Sequence, residues 1–189
     1  MKEFNKNVNI TPYSIGNTKE VDLTRNIYKK MMEDLNEYMK VQEGHTINVL
    51  DCFARESFVN ELQLDWMTYK STDPMASYLR DNTNYVIDYP GSPNQILAKD
   101  NEFAIIFTVG NKSFFGETHE FLMQVERLLQ PGGLLIVAVS KYLFYKELNQ
   151  ILVATRPGFE YVRAVEVGYQ ITESGTDSSK FFTFYRYKG

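Results

Sequence analysis

Polar side chains able to hold a small ligand stand directly after four segments of this chain that read as strands. Asp51 and Cys52 follow Ile47–Leu50, Asp73 follows Trp66–Thr72, Asp88 follows Tyr85–Ile87, and Asn111 and Lys112 come just after Phe103–Val109. In an open parallel sheet, ligands bind beyond the carboxyl ends of the strands, near the switch in strand order. A carboxylate at the end of the second strand accepts hydrogen bonds from ribose hydroxyls. Asp73, about 22 residues after Asp51, is spaced for that work. Asp73-Pro74 is also a helix start, an N-cap followed by proline at the first helical position, so capping explains the same residue. Asn111 or Lys112 could act on a reacting group, with Phe114-Phe115 offering rings for stacking. Gly110-Asn111 equally forms a simple turn. Other chemistries have little to build on. Two histidines, His45 and His119, are too few for a metal cluster without several carboxylates. Cys52 has no recognisable base and suits a small buried thiol. Ser140 lacks a G-x-S-x-G elbow, and no phosphate loop is present.

The elements that must position these residues follow from apolar periodicity. Ile27, Met31, Leu35 and Tyr38 recur at helical spacing after Asp22 or Thr24, and Gly44 ends that helix. Ile47–Asp51 reads as a short strand, Ser57–Leu64 as a helix, Trp66–Thr72 as a second strand, and Tyr85–Asp88 as a brief third. Asp73-Pro74 opens a helix carrying Tyr78 and Leu79, and Tyr89–Asn94 is a loop. Phe103–Val109 is a buried strand, and Phe121, Leu122, Val125, Leu128 and Leu129 define an amphipathic helix. Pro131-Gly132-Gly133 then turns the chain into the wholly apolar strand Leu134–Val139, a pattern that fits burial on both faces. Tyr142–Ala154 is helical. Phe159–Tyr169 and Lys180–Tyr187, joined by a Ser-, Gly- and Asp-rich loop, form an antiparallel hairpin. The expected fold is α/β: a single-domain, seven-stranded, mostly parallel sheet with helices on both faces and a C-terminal antiparallel hairpin. Residues 1–21 read as a polar N-terminal arm, and residues 22–189 as the domain.

Composition narrows the function. The chain has 189 residues and a net charge of −4, with no block of like charge, which argues against non-specific nucleic-acid binding. One cysteine excludes an internal disulfide framework and suits a reducing, cytoplasmic setting. The N-terminus lacks a signal-peptide core, and no apolar run approaches the roughly 20 residues of a membrane span. Tyrosine and phenylalanine, 13 of each, supply a core and leave aromatic surface for protein partners.

Two segments carry a family resemblance. Leu129-Gln130-Pro131-Gly132-Gly133-Leu134-Leu135 resembles the "L-x-P-G-G-x-L" that precedes strand five of class I S-adenosylmethionine-dependent methyltransferases. Val49-Leu50-Asp51-Cys52-Phe53-Ala54-Arg55-Glu56-Ser57 is similar to their "V-L-D-x-F-A-G-S-G" cofactor loop, but Arg55 and Ser57 stand where glycines belong. The resemblance implies S-adenosylmethionine as cofactor. It implies that Asp51, Phe53, Ala54, Asp73 and Asp88 bind it, with Asp88 near the adenine ring. The family's nucleic-acid amino-methylating enzymes carry [D/N]-P-P-[Y/F] after strand four, where this chain has Val109-Gly110-Asn111-Lys112. Arg55 sets a bulky cation beside a sulfonium. The eroded loop implies a methyltransferase-fold protein that no longer catalyses and serves as a structural or binding subunit of a larger assembly, cytoplasmic or, if viral, of the host cytoplasm or virion. The competing expectation is an active S-adenosylmethionine-dependent methyltransferase acting on nucleic acid or a small molecule. A nucleotide-binding module on a related sheet is a third, weakened by the lack of G-x-G-x-x-G.

Overall fold

The computed structural model describes residues 10–39, 44–52, 64–73, 87–91, 95–109, 118–139, 152 and 154–189. Along the chain run β1 (Ile10–Thr18), α1 (Glu20–Met39), β2 (Ile47–Cys52), β3 (Met67–Asp73), β4 (Tyr89–Pro90), β5 (Phe103–Val109), α2 (Thr118–Leu128), β6 (Leu129–Val139), β7 (Phe159–Ile171) and β8 (Thr176–Tyr187). The strands form one sheet in the order β1-β7-β8-β6-β5-β2-β3-β4. Every pairing is parallel except those of β8, which runs antiparallel to both β6 and β7. The helices expected at Ser57–Leu64 and after Asp73-Pro74, and most of Tyr142–Ala154, lie outside the described residues.

The two faces of β6 explain its apolar run. Leu134, Ile136 and Ala138 face the layer holding Ile27, Tyr28, Met31, Met32 and Leu35 of α1. Leu135, Val137 and Val139 face the layer holding Phe121, Leu122, Val125 and Leu128 of α2. Successive strand residues point to opposite faces, so a strand covered on both sides must be apolar throughout. Met31 and Met32 of α1 are core, each almost wholly buried, and Met39 packs partly buried against that layer. Burying one such side chain contributes roughly 2 kcal/mol. Tyr28 packs edge-on against Phe107 and Phe182, with ring centroids 5.3 and 5.6 Å away. Beside this layer, the Arg163 guanidinium of β7 donates to the buried Asp34 carboxylate of α1 and lies 4.7 Å from the centroid of Phe184.

Three details differ from the sequence expectation. The polar stretch read as an arm contains β1, an eighth strand at the sheet edge, with Ile10 opposite Ala164 and Thr18 opposite Ile171. Its partner lies some 150 residues away, which no local pattern reports. A bulge between Ser14 and Asn17 places Gly16 at φ +69°. Next, the described part of the third-strand region pairs at Tyr89–Pro90, opposite Thr72–Asp73, rather than at Ile87–Asp88. The Asp88 carboxylate takes the Ser71 N–H, so a side chain occupies the place a backbone carbonyl would fill. Last, Leu129 already pairs with Phe103, and Gln130–Gly133 forms a bulge inside β6 before pairing resumes at Leu134. Gly132 there has φ +82°. A Cβ on Gly133 would stand 2.9 Å from the carbonyl oxygens of Ala104 and Gln130.

Two outcomes follow. Gly133→Ala forces backbone apart and should cost about 2 kcal/mol in urea unfolding; an unchanged midpoint would show that the bulge yields. Asp34→Ala leaves the Arg163 guanidinium beneath α1 without its carboxylate and should cost roughly 3 kcal/mol. A loss well under that, in the same measurement, would mean that other contacts hold Arg163.

Candidate ligand site at the carboxyl ends of the central strands

β2 and β3 run side by side with Asp51 opposite Ser71 and Cys52 opposite Thr72. Asp51 shares the face of Val49, toward α1, and is fully buried. On β3, Tyr69, Ser71 and Asp73 alternate onto that same face. Tyr69 stands opposite Val49, and its hydroxyl reaches diagonally forward to donate to Asp51 Oδ2 at 2.7 Å. Burial raises the Tyr69 phenol far above its ordinary range, and the negative charge of Asp51 and the hydrogen bond raise it further. Tyr69 is therefore a hydrogen-bond donor at any working pH.

Asp73 is the last residue of β3 and fully buried. Its carbonyl accepts from Gly91 N at 3.3 Å, which ties the strand end to the segment after β4. Asp51 and Asp73 thus lie on one face at the ends of adjacent strands, two residues apart in register. Asp88 is committed differently. It accepts from Ser71 N at 2.9 Å, Ser71 Oγ at 3.2 Å and Lys70 Nζ at 3.0 Å. Lys70 is raised by the hydrogen bond and charge of Asp88 but is largely solvated, so the ion pair itself contributes little. Asp88 joins β3 to the chain entering β4.

Cys52 points to the opposite face, into the layer of α2. Burial, and then Asp51, raise its thiol well above the ordinary value, which disfavours the thiolate a nucleophile needs. Thr108 lies opposite Cys52 at the end of β5. Its hydroxyl is buried with no hydrogen-bond partner among the described residues. His119 contacts Arg156, whose Nη2 is 2.9 Å from Nδ1, on an exposed surface. Among the described residues no three His, Cys, Asp or Glu side chains group as metal ligands, and no helix is long and apolar enough to cross a membrane.

Of the residues singled out from the sequence, the structure brings Asp51 and Asp73 together and sets Asp88 at the β3–β4 junction. Phe53, Ala54, Arg55, Ser57, Asn111, Lys112, Phe114 and Phe115 lie outside the described residues. Tyr69 and Thr108 were missed. Each had a signal: Tyr69 shares the two-residue period of Ser71 and Asp73, and Thr108 is the one polar residue in Phe103–Val109. At the opposite edge, beyond β7, a shallow depression of about 350 Å³ is lined by Ser14, Asn17, Tyr169, Gln170 and Asp177.

Carboxylates accept from ribose hydroxyls and from an ammonium group, and Asp51 and Asp73 offer both on one face.

No family model matches the sequence, and no curated protein does. Solved structures do. The CurJ carbon methyltransferase superposes with a TM-score of 0.60 at 12% identity, covering 90% of this chain and 56% of that one, so this chain spans little more than half its length. The N-methyltransferase NodS from Bradyrhizobium japonicum gives 0.55 at 11% identity, covering 86% and 97%. The [4+2]-cyclase SpnF gives 0.57 at 11%, covering 84% and 80%. At such identities the likeness is one of fold: this chain has the mixed α/β, Rossmann-like fold of the class I S-adenosylmethionine-dependent methyltransferases.

Proposed function

We propose that this protein binds S-adenosylmethionine across the ends of β2 and β3 and acts as a methyltransferase. The observation that carries the reading is the pair Asp51 and Asp73, both fully buried on one face at adjacent strand ends. Burying a carboxylate costs several kcal/mol unless hydrogen bonds or a partner offset it. A ligand with vicinal hydroxyls and an ammonium group would add donors to those the protein itself gives, such as the Tyr69 hydroxyl on Asp51. Asp73 would take the ribose hydroxyls and Asp51 the part of the ligand beyond the ribose. S-adenosylmethionine, when bound, supplies an electrophilic methyl group. The acceptor class is nucleic acid or a small molecule, with Asn111 and Lys112 the nearest polar residues in sequence after β5.

A second reading has its own observation. Arg55 and Ser57 occupy the positions of the cofactor-loop glycines, and Arg55 carries the same charge as the sulfonium. In that reading the chain is a non-catalytic subunit that keeps the fold for binding protein partners.

Calorimetry with S-adenosylmethionine and S-adenosylhomocysteine separates the two. Saturable micromolar binding is expected, with Asp73→Asn weakening it about tenfold, the loss of about 1.4 kcal/mol. No binding by the wild type, nor by Arg55→Gly with Ser57→Gly, would overturn the cofactor reading and favour the subunit. The same double variant is expected to bind S-adenosylmethionine more tightly than the wild type, since it removes a like charge and frees the loop backbone. Weaker binding would show that Arg55 contributes to the site.

A further inference from the structure

We infer that Tyr69 is a positioning residue for the ligand site: its hydroxyl fixes the Asp51 carboxylate and so decides how that carboxylate meets the part of the ligand beyond the ribose. The inference rests on the cofactor reading above. Tyr69 does not follow an acidic strand end and belongs to no motif noted in the sequence. It stands two residues before the register partner of Asp51, opposite Val49. A diagonal cross-strand neighbour lies about 7–8 Å away, within reach of an aromatic side chain and beyond a short one. The ring packs against the α1-side layer, which fixes its two torsions, so the hydroxyl is delivered to Asp51 Oδ2 at 2.7 Å with little freedom left to lose. At 2.7 Å the O–H···O bond has the usual optimal length. With Oδ2 engaged from the β3 side, the carboxylate cannot rotate without breaking that bond.

Asp73 ends β3, with β4 on one side of it and β2, carrying Asp51, on the other. A ligand whose ribose met Asp73 and whose adenine lay toward β4 would turn its amino-acid tail toward Asp51, and Tyr69 would then act on the tail through Asp51 rather than on ring or ribose.

The test compares two ligands by calorimetry: S-adenosylhomocysteine, which has the tail, and 5′-methylthioadenosine, which lacks it. Tyr69→Phe keeps the ring and its packing and removes only the hydroxyl. It should weaken S-adenosylhomocysteine about fivefold and change methylthioadenosine less than about twofold, from the loss of one hydrogen bond to the Asp51 carboxyl. In an Asp51→Asn background the same change should have little further effect, because the two residues act as one unit. Equal losses on both ligands, or a full loss added on top of Asp51→Asn, would overturn the inference and leave a structural role. Unchanged binding of both ligands would overturn it as well. Wild-type protein that binds neither ligand would overturn the cofactor reading itself, and this inference with it.

Discussion

Burial of β5 and β6 on both faces is the constraint on which the rest of the molecule depends. Phe103, Ile105, Ile106, Phe107 and every residue from Leu134 to Val139 are almost completely shielded from solvent. No charge can sit in the middle of such a strand without a large desolvation cost. Polar chemistry is therefore expelled to the strand ends. Asp51 is the penultimate residue of β2, Thr108 of β5, and Asp73 the last of β3. Apolar demand in the core concentrates hydrogen-bonding groups along one rim, the rim where open parallel sheets bind ligands.

The acidic residues of this protein divide by what surrounds them. Asp34 meets a guanidinium and ties α1 to β7. Asp88 meets a backbone N–H, a hydroxyl and an ammonium and ties β3 to β4. Asp51 accepts from the Tyr69 hydroxyl and ties the ends of β2 and β3 together on the α1 side.

What could be read in advance follows the range of the forces involved. Phe103–Val109 and the hairpin of β7 and β8 were legible because their apolar residues repeat at the period of the element itself. The helix α1 was legible through Ile27, Met31 and Leu35 for the same reason. β1 was not, because a polar edge strand owes its existence to β7 at the other end of the chain. The Tyr89–Pro90 pairing was not, because it depends on the Asp88 side chain substituting for a ladder bond. In the site, Asp51 and Asp73 were visible as acids ending apolar runs. Tyr69 was hidden because its role lies in a diagonal contact across two strands, which depends on register. Glycine at 133 was visible as part of a turn, yet its physical reason, the carbonyl of Ala104 pressed against it, belongs to the neighbouring strand.

The parallel docking of β1 on β7 has a consequence for the order in which the molecule is made. Ile10–Thr18 is synthesised some 150 residues before its partner Phe159–Ile171. Until β7 arrives, the N-terminal strand has no ladder to join, and the apolar stripe of α1 that follows it can cover only part of the sheet. The Thr18 carbonyl then accepts two hydrogen bonds from Thr172, the residue just after β7. Segments on either side of the central strands are thereby clasped together. On a ribosome, Ile10–Thr18 emerges well before β7, and this edge of the sheet closes only once β7 has followed it.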